Sequence, residues 1–279
     1  MWKGSQDDES LRALHRAIDL GINFFDTALV YGNGHSETLI GKVLRQTKEH
    51  VYVATKVPPK NFHWPASGRL DEAFPREHIV NCVERSLVNL GVETIDLLQL
   101  HVWSPDWLLE EEWYATLCRL RESGKVAYFG VSVNDHEPDS ALEVVSSGKI
   151  DTVQVIFNIF DQSPLDRLFL ACEKMQVGVI VRVPFDEGSL TGKITPTTTF
   201  PKGDWRNRYF SGDRRRQVCE RVSRLETLLG EEVTTLVDSE MRAGTHRVSW
   251  DASGKASGVY FCRLTTGDFL QSKLMILMK

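Results

Sequence analysis

No two cysteines in this chain stand at CxxC spacing. The five present, Cys82, Cys118, Cys172, Cys219 and Cys262, are scattered, which excludes a paired redox or zinc motif and leaves free, buried thiols in a reducing compartment as the expectation. An excess of basic residues is also missing. The formal net charge is −5, so no nucleic-acid footprint is expected. No segment has the apolar length of a membrane span. No apolar run follows Met1, so no signal peptide is expected, and the default location is cytoplasmic. No GxGxxG follows the first strand-like run, which counts against a dinucleotide-binding doubly wound sheet. What is present is ordinary for a soluble globular chain: 42% hydrophobic and 25% charged residues over 279 positions. That length fits one large domain with a small appendage. The basic run Arg214 to Arg216 follows Asp213 and reads as a solvated helix face.

The body of the chain alternates two grammars. Helical stripes occur in LRALHRAIDLG (Leu11, Leu14, Ala17, Ile18), in SETLIGKVLRQ with Ser36 as N-cap, and in PREHIVNCVERSLVNLG between Pro75 and Gly91. Later ones are EEEWYATLCRLRESGK, ALEVVSSG and DRLFLACEKMQ. Between them stand six continuously apolar runs: INFFDTA, VYVATKV, IDLLQLH, VAYFGVSV, DTVQVIFN and VGVIVRVPF. Continuous apolar runs are what strands buried on both faces look like. Repeated β-α units imply a parallel sheet. The expected fold is therefore α/β, an incomplete TIM-type (β/α) barrel of about six parallel strands over residues 1–228. After about Leu229 the pattern becomes β-rich and turn-rich. Residues 229–279 are expected to form a small antiparallel β tail with strands from about Thr245 to Met278, turning at Thr266-Gly267-Asp268.

Four residues bear the chemistry: Asp26 in FFDTA, Tyr31 in YGNGHSE, Lys56 in VYVATK and His101 in DLLQLH. Three close apolar runs and one sits in the Gly-rich loop after the first. In a β/α barrel the C-terminal strand ends face one pocket, so these residues converge. A phenol, an ammonium, a carboxylate and an imidazole together point to proton delivery to a carbonyl. Tyr31 would be the donor. Lys56 would lower its pKa from the ordinary value of about 10. Asp26 would hold Lys56, and a neutral His101 would orient the carbonyl oxygen. The hydride must come from a cofactor, since no side chain supplies one. Taken singly, each of these residues has a commoner structural reading; the combination carries the chemistry.

DTA, YGxGxSE, ATK and QLH, in that order, resemble the aldo-keto reductase family. The resemblance implies an NADP(H)-dependent oxidoreductase that reduces aldehydes or ketones, with NADPH as cofactor and NADH possible. It implies that Ser132 and Gln154 hold the nicotinamide carboxamide. At the family's neighbouring Asn position stands Val133, with Asn134 displaced by one. Arg182 occupies the position at which an aromatic ring usually stacks on the nicotinamide. Ser189 and Leu190, in GSLTGK, match the loop covering the pyrophosphate. No metal and no protein partner are implied, and the partner is a small-molecule carbonyl substrate. The family's first strand and its eighth strand, with the segment that grips the adenosine ribose phosphate, have no counterpart here. Those strands are neighbours in a closed barrel, so a gap of about 10 Å is expected, with the Asp26 and Arg182 strands as edges. Weak NADPH-dependent activity and a tendency to aggregate are the corresponding expectations.

The tail, LGEEVTTLVDSEMRAGTHRVSWDASGKASGVYFCRLTTGDFLQSKLMILMK, resembles the second half of a C-terminal sorting domain of the type IX secretion type. Two competing expectations follow. One is an inactive fusion that keeps the four residues but lacks cofactor binding. The other is an exported surface protein addressed by its tail.

Overall fold

The computed structural model describes residues 6–229, 233–241, 244–255, 258–266 and 269–277. It falls into two compact units, residues 1–223 and 224–279. In the first, six strands alternate with helices. They are β1 (Phe24–Asp26), β2 (Tyr52–Val57), β3 (Ile95–Leu100), β4 (Val126–Ser132), β5 (Thr152–Ile156) and β6 (Gly178–Arg182). The principal helices are α1 (Asp7–Asp19), α2 (His35–Leu44), the short α3 (Leu70–Ala73), α4 (Arg76–Leu90), α5 (Glu111–Glu122), α6 (Leu142–Ser146), α7 (Leu168–Met175), the short α8 (Arg206–Tyr209) and α9 (Arg214–Leu229). All adjacent strand pairs are parallel, and the order is consecutive from β1 to β6. This is a curled half-barrel, an incomplete TIM-type barrel as the apolar runs predict.

Side-chain alternation divides the sheet into two faces. One carries Val53, Val57, Leu98, Leu100, Phe129, Val131, Val153 and Val155, all buried in the main core. Ile79, Val83 and Leu90 of α4 and Trp113, Leu117 and Leu120 of α5 belong to the same core. The other face carries Asp26, Lys56, Gln99, Ser132, Gln154 and Arg182. Register pairs Lys56 with Gln99, Ser132 with Gln154, and Ile156 with Arg182, so these side chains point the same way. At the N-terminal ends of the strands this inner face is uncovered: Phe24, Tyr52 and Tyr128 are 39%, 44% and 60% exposed. Among the described residues β1 and β6 are the two edges of the sheet.

The helix starting at YGNGHSE differs from expectation. Ser36 lies inside α2, whose N-cap is Gly34 at φ 95°. The Ser36 hydroxyl instead accepts a hydrogen bond from Thr27 Oγ1 at 2.8 Å, tying the helix to the end of β1. Gly34 has a second constraint: a Cβ there would sit 2.3 Å from Asn89 Nδ2. Pro75 and the left-handed Gly91 bound α4 as expected.

In the second unit β7 (Gly258–Thr266) and β8 (Phe269–Leu277) pair antiparallel and form a sheet of their own. The predicted strand around Thr245 to Asp251 is absent, and that segment is irregular. Alternation alone does not make a strand; a neighbouring backbone must take its hydrogen bonds. The expected turn residues Gly267 and Asp268 lie outside the described residues. All five cysteines are free; Cys82 and Cys172 are buried, but Cys262 is exposed, contrary to a uniformly buried set. Among the described residues no helix is long and apolar enough to cross a membrane.

α2 and α4 meet at Gly41, where a Cβ would lie 2.5 Å from the Leu90 carbonyl oxygen. Backbone cannot yield as a side chain can. Gly41→Ala is therefore expected to destabilise the chain by about 1–3 kcal/mol, although alanine is the better helix former by about 1 kcal/mol. Urea unfolding checks this, and an unchanged or raised midpoint would contradict the close approach.

Candidate active site

The site is built on the C-terminal ends of β1, β2 and β3. Lys56, at the penultimate position of β2, is 1% exposed. A buried ammonium needs compensation, and it has two acceptors: Asp26 Oδ2 at 2.7 Å and the Thr27 carbonyl at 2.7 Å. Asp26 Oδ1 is approached by Gln99 Nε2 at 3.4 Å. Burial lowers the pKa of Lys56; Asp26 opposes that shift and the charge of Arg182 adds to it.

Tyr31 follows β1 in the turn closed by its own N–H donating to the Ala28 carbonyl at 2.9 Å. Its ring centroid is 5.7 Å from Lys56 Nζ and 5.8 Å from the His101 ring, which meets it edge-on. The loop is braced from behind. Glu37 on α2 is completely buried and accepts from Thr55 Oγ1 at 2.6 Å and Asn89 Nδ2 at 2.8 Å. Thr55 directly precedes Lys56, so one carboxylate braces the helix after the Tyr31 loop against the strand of Lys56.

The expected lowering of the Tyr31 pKa is not found. It is raised to about 12, first by burial and then by the Asp26 carboxylate; Arg182 is the cation acting in the opposite sense. The Lys56 charge is largely cancelled at Tyr31 because Asp26 contacts it. The residue as a whole is 39% exposed, which tempers the burial effect, but the upward direction stands because Asp26 pushes the same way.

His101 is held well below the ordinary histidine pKa, by burial first and by the Lys56 and Arg182 charges next, in keeping with a neutral ring. Its Nδ1 is buried with no hydrogen-bond partner among the described residues. Trp64 packs edge-on against the same ring with centroids 4.7 Å apart. This indole has no signal in the sequence. It comes from the loop after β2, pinned where Ala66 N–H donates to Asn134 Oδ1 at 3.0 Å and Trp107 Nε1 donates to the Gly68 carbonyl at 3.0 Å.

The other expected residues lie along β4 to β6. Ser132 and Gln154 are both 2% exposed and are register partners. Gln154 Nε2 is buried without an acceptor among the described residues, which fits a site for a carboxamide oxygen. Asn134 is turned away, engaged with Ala66 and with Glu137 Oε2 at 3.0 Å. Arg182 donates to the Val133 carbonyl at 2.9 Å and to Asp135 Oδ1 at 2.7 Å. Ser189 is buried and its hydroxyl donates to Asp186 Oδ2 at 2.6 Å, so that side chain faces the protein. Leu190, beside it, is half-buried.

The His101 shift has a measurable consequence. The unfolded chain takes up a proton at this ring as pH falls below about 6.5, whereas the folded chain does not. Stability from this group is therefore present above pH 6.5 and declines below it, by up to about 1.4 kcal/mol per pH unit until the folded pKa is reached. Ring nuclear magnetic resonance signals of His101 are expected to stay in the neutral form at pH 5.5. Titration near 6.5 would contradict the burial and cation argument.

The family profile of the aldo/keto reductases matches residues 1–237. The chain is 29% identical over 232 residues to aldo-keto reductase YhdN of Bacillus subtilis, covering 82% of this chain and 68% of that one. It is 30% identical over 207 residues to the NADH-specific methylglyoxal reductase of Escherichia coli, covering 70% and 62%. Among solved structures, the glycerol dehydrogenase of Gluconobacter oxydans superposes with a TM-score of 0.64 at 32% identity, covering 82% of this chain and 70% of that one. The chain thus spans 62–70% of the length of these three relatives. With the half-barrel sheet and the Asp26–Lys56 pair beside Tyr31 and His101, these likenesses lead to one conclusion: the chain belongs to the aldo/keto reductase family.

Proposed function

We propose that this protein reduces aldehyde or ketone carbonyls to alcohols with NADPH, using Tyr31 as the proton donor. The observation that carries the reading is the buried Lys56–Asp26 pair beside a phenol and an imidazole whose rings meet edge-on. A bound nicotinamide cofactor would supply the hydride for the carbonyl carbon. Ser132 and Gln154 would hold its carboxamide, and the orphaned Gln154 Nε2 supports that assignment. Arg182 and the Ser189–Leu190 loop would border the cofactor. His101, neutral, donates a hydrogen bond to the carbonyl oxygen and fixes its direction. Tyr31 then protonates that oxygen as charge develops on it.

A phenol raised to about 12 stays protonated at neutral pH, so the donor is in its active form. The emerging alkoxide is a stronger base than the phenolate, which keeps the transfer downhill. Arg182 offsets part of the charge left on Tyr31. Relatives differ in cofactor: one is named NADH-specific and another carries NADP(+) in its name. The phosphate-bearing cofactor is our choice, following the resemblance.

We also propose that the tail is an appended element rather than part of the barrel, of the sorting type its sequence resembles. The independent pairing of β7 with β8 supports this.

Titration calorimetry with NADPH beside an aldehyde-reduction assay tests the catalytic reading. Tyr31→Phe is expected to lower turnover by about 10²- to 10⁴-fold with NADPH affinity unchanged. Equal turnover in the variant, or no carbonyl-dependent NADPH oxidation by the wild type, would contradict it.

A further inference from the structure

A cavity of about 340 Å³ is lined by none of the four residues of the candidate active site. Arg214, Gln217, Val218 and Arg221 of α9 form one wall, and His136, Phe160, Asp161 and Asp186 form the other. Positions three and four apart share a helix face, so Arg214, Gln217 and Arg221 present their donors together.

The donor and acceptor ledger of this cavity is unbalanced. Its two carboxylates are already engaged. Asp161 accepts from His136 Nδ1 at 2.5 Å and from Ser163 Oγ at 2.7 Å. Asp186 accepts from Ser189 Oγ, from the Tyr209 hydroxyl, and from Arg214 Nη2 at 3.3 Å. The donors are not all used. Arg214 Nε is buried with no partner among the described residues. The Arg221 guanidinium stands 5.7 Å from the Phe160 ring centroid, and no hydrogen bond of the Arg221 or Gln217 side chain is found among the described residues. Arg214 Nη2 also donates to the Tyr209 hydroxyl at 2.7 Å, so the spare N–H groups beside the aromatic ring are Arg214 Nε and those of Arg221 and Gln217. Its volume suits a small ligand. An arginine pair matches phosphate geometry, each guanidinium offering parallel donors.

We propose that this cavity binds a phosphate group, with Arg214, Gln217 and Arg221 donating to its oxygens and Phe160 flanking whatever the phosphate carries. The ligand is either free phosphate or the phosphate of a small monoester. The site is independent of carbonyl reduction, and its test uses no nicotinamide.

Inorganic phosphate and adenosine 5′-monophosphate are titrated separately into the protein at constant ionic strength, followed by amide chemical shifts. Saturable binding with Kd on the order of 1 mM is expected, with shifts centred on Phe160 and on Arg214 to Arg221. Tighter binding of the nucleotide assigns the site to a ring-bearing monoester, and equal binding assigns it to free phosphate. Arg221→Gln, at an exposed position, and separately Gln217→Leu are each expected to weaken binding about tenfold or more while leaving the melting temperature in place. Shifts centred instead on Lys56 and His101, no saturation for either probe, or unchanged affinity in both variants would overturn the proposal.

Discussion

The arrangement depends on one buried cation. Lys56 is almost wholly removed from water, and an ammonium in such a place persists only if other groups replace its hydration. Asp26 and the Thr27 carbonyl do so at 2.7 Å each. Both come from the end of β1, an edge strand of three residues. The ion pair thus fastens the shortest strand of the sheet to its neighbour at the level where the chemistry is proposed. It also sets the electrostatics of the other members. The Lys56 charge helps to keep His101 neutral, while the Asp26 charge helps to keep Tyr31 protonated. One dipole acts in opposite senses on two neighbouring groups, and each sense suits the role proposed for that group.

The fastening has a counterpart behind the sheet. Glu37, buried, accepts hydrogen bonds from Thr55 and Asn89. It links β2, α2 and α4 through two hydrogen bonds. The inner face therefore carries the ion pair and the outer face a hydrogen-bonded carboxylate bridge, on adjacent residues Thr55 and Lys56. This division follows from strand alternation, which turns consecutive residues to opposite faces.

Much of this was legible in the sequence because it depends on local pattern. Continuous apolar runs such as VYVATKV mark strands covered on both faces, and the six runs form the six strands of the sheet. Pro75 and Gly91 mark the ends of α4 because their backbone preferences are intrinsic. Convergence of Asp26, Tyr31, Lys56 and His101 follows from parallel strands whose C-terminal ends share one side. What failed depended on groups distant in sequence. The direction of the Tyr31 shift depends on burial and on how completely Asp26 offsets Lys56, neither of which a motif encodes. Trp64 reaches His101 through a loop anchored by Asn134, 68 positions from Ala66, and no spacing rule finds it. Ser36 reads as an N-cap, but Thr27 donates to its hydroxyl and Gly34 takes the cap position. THRVSWD alternates as a strand would, yet it is irregular.

The central claim is that Asp26 exists in this site to compensate Lys56. A double-mutant cycle on stability tests it most directly, with Asp26→Asn, Lys56→Met and the combination measured by denaturant unfolding. Asp26→Asn leaves a buried cation without its counter-charge and should cost about 3 kcal/mol, the lower end for a broken buried pair because Asp26 is partly exposed. Removing the cation as well should recover most of that loss, making the double variant more stable than Asp26→Asn alone. Additive losses, with the double variant the least stable of the set, would contradict the account.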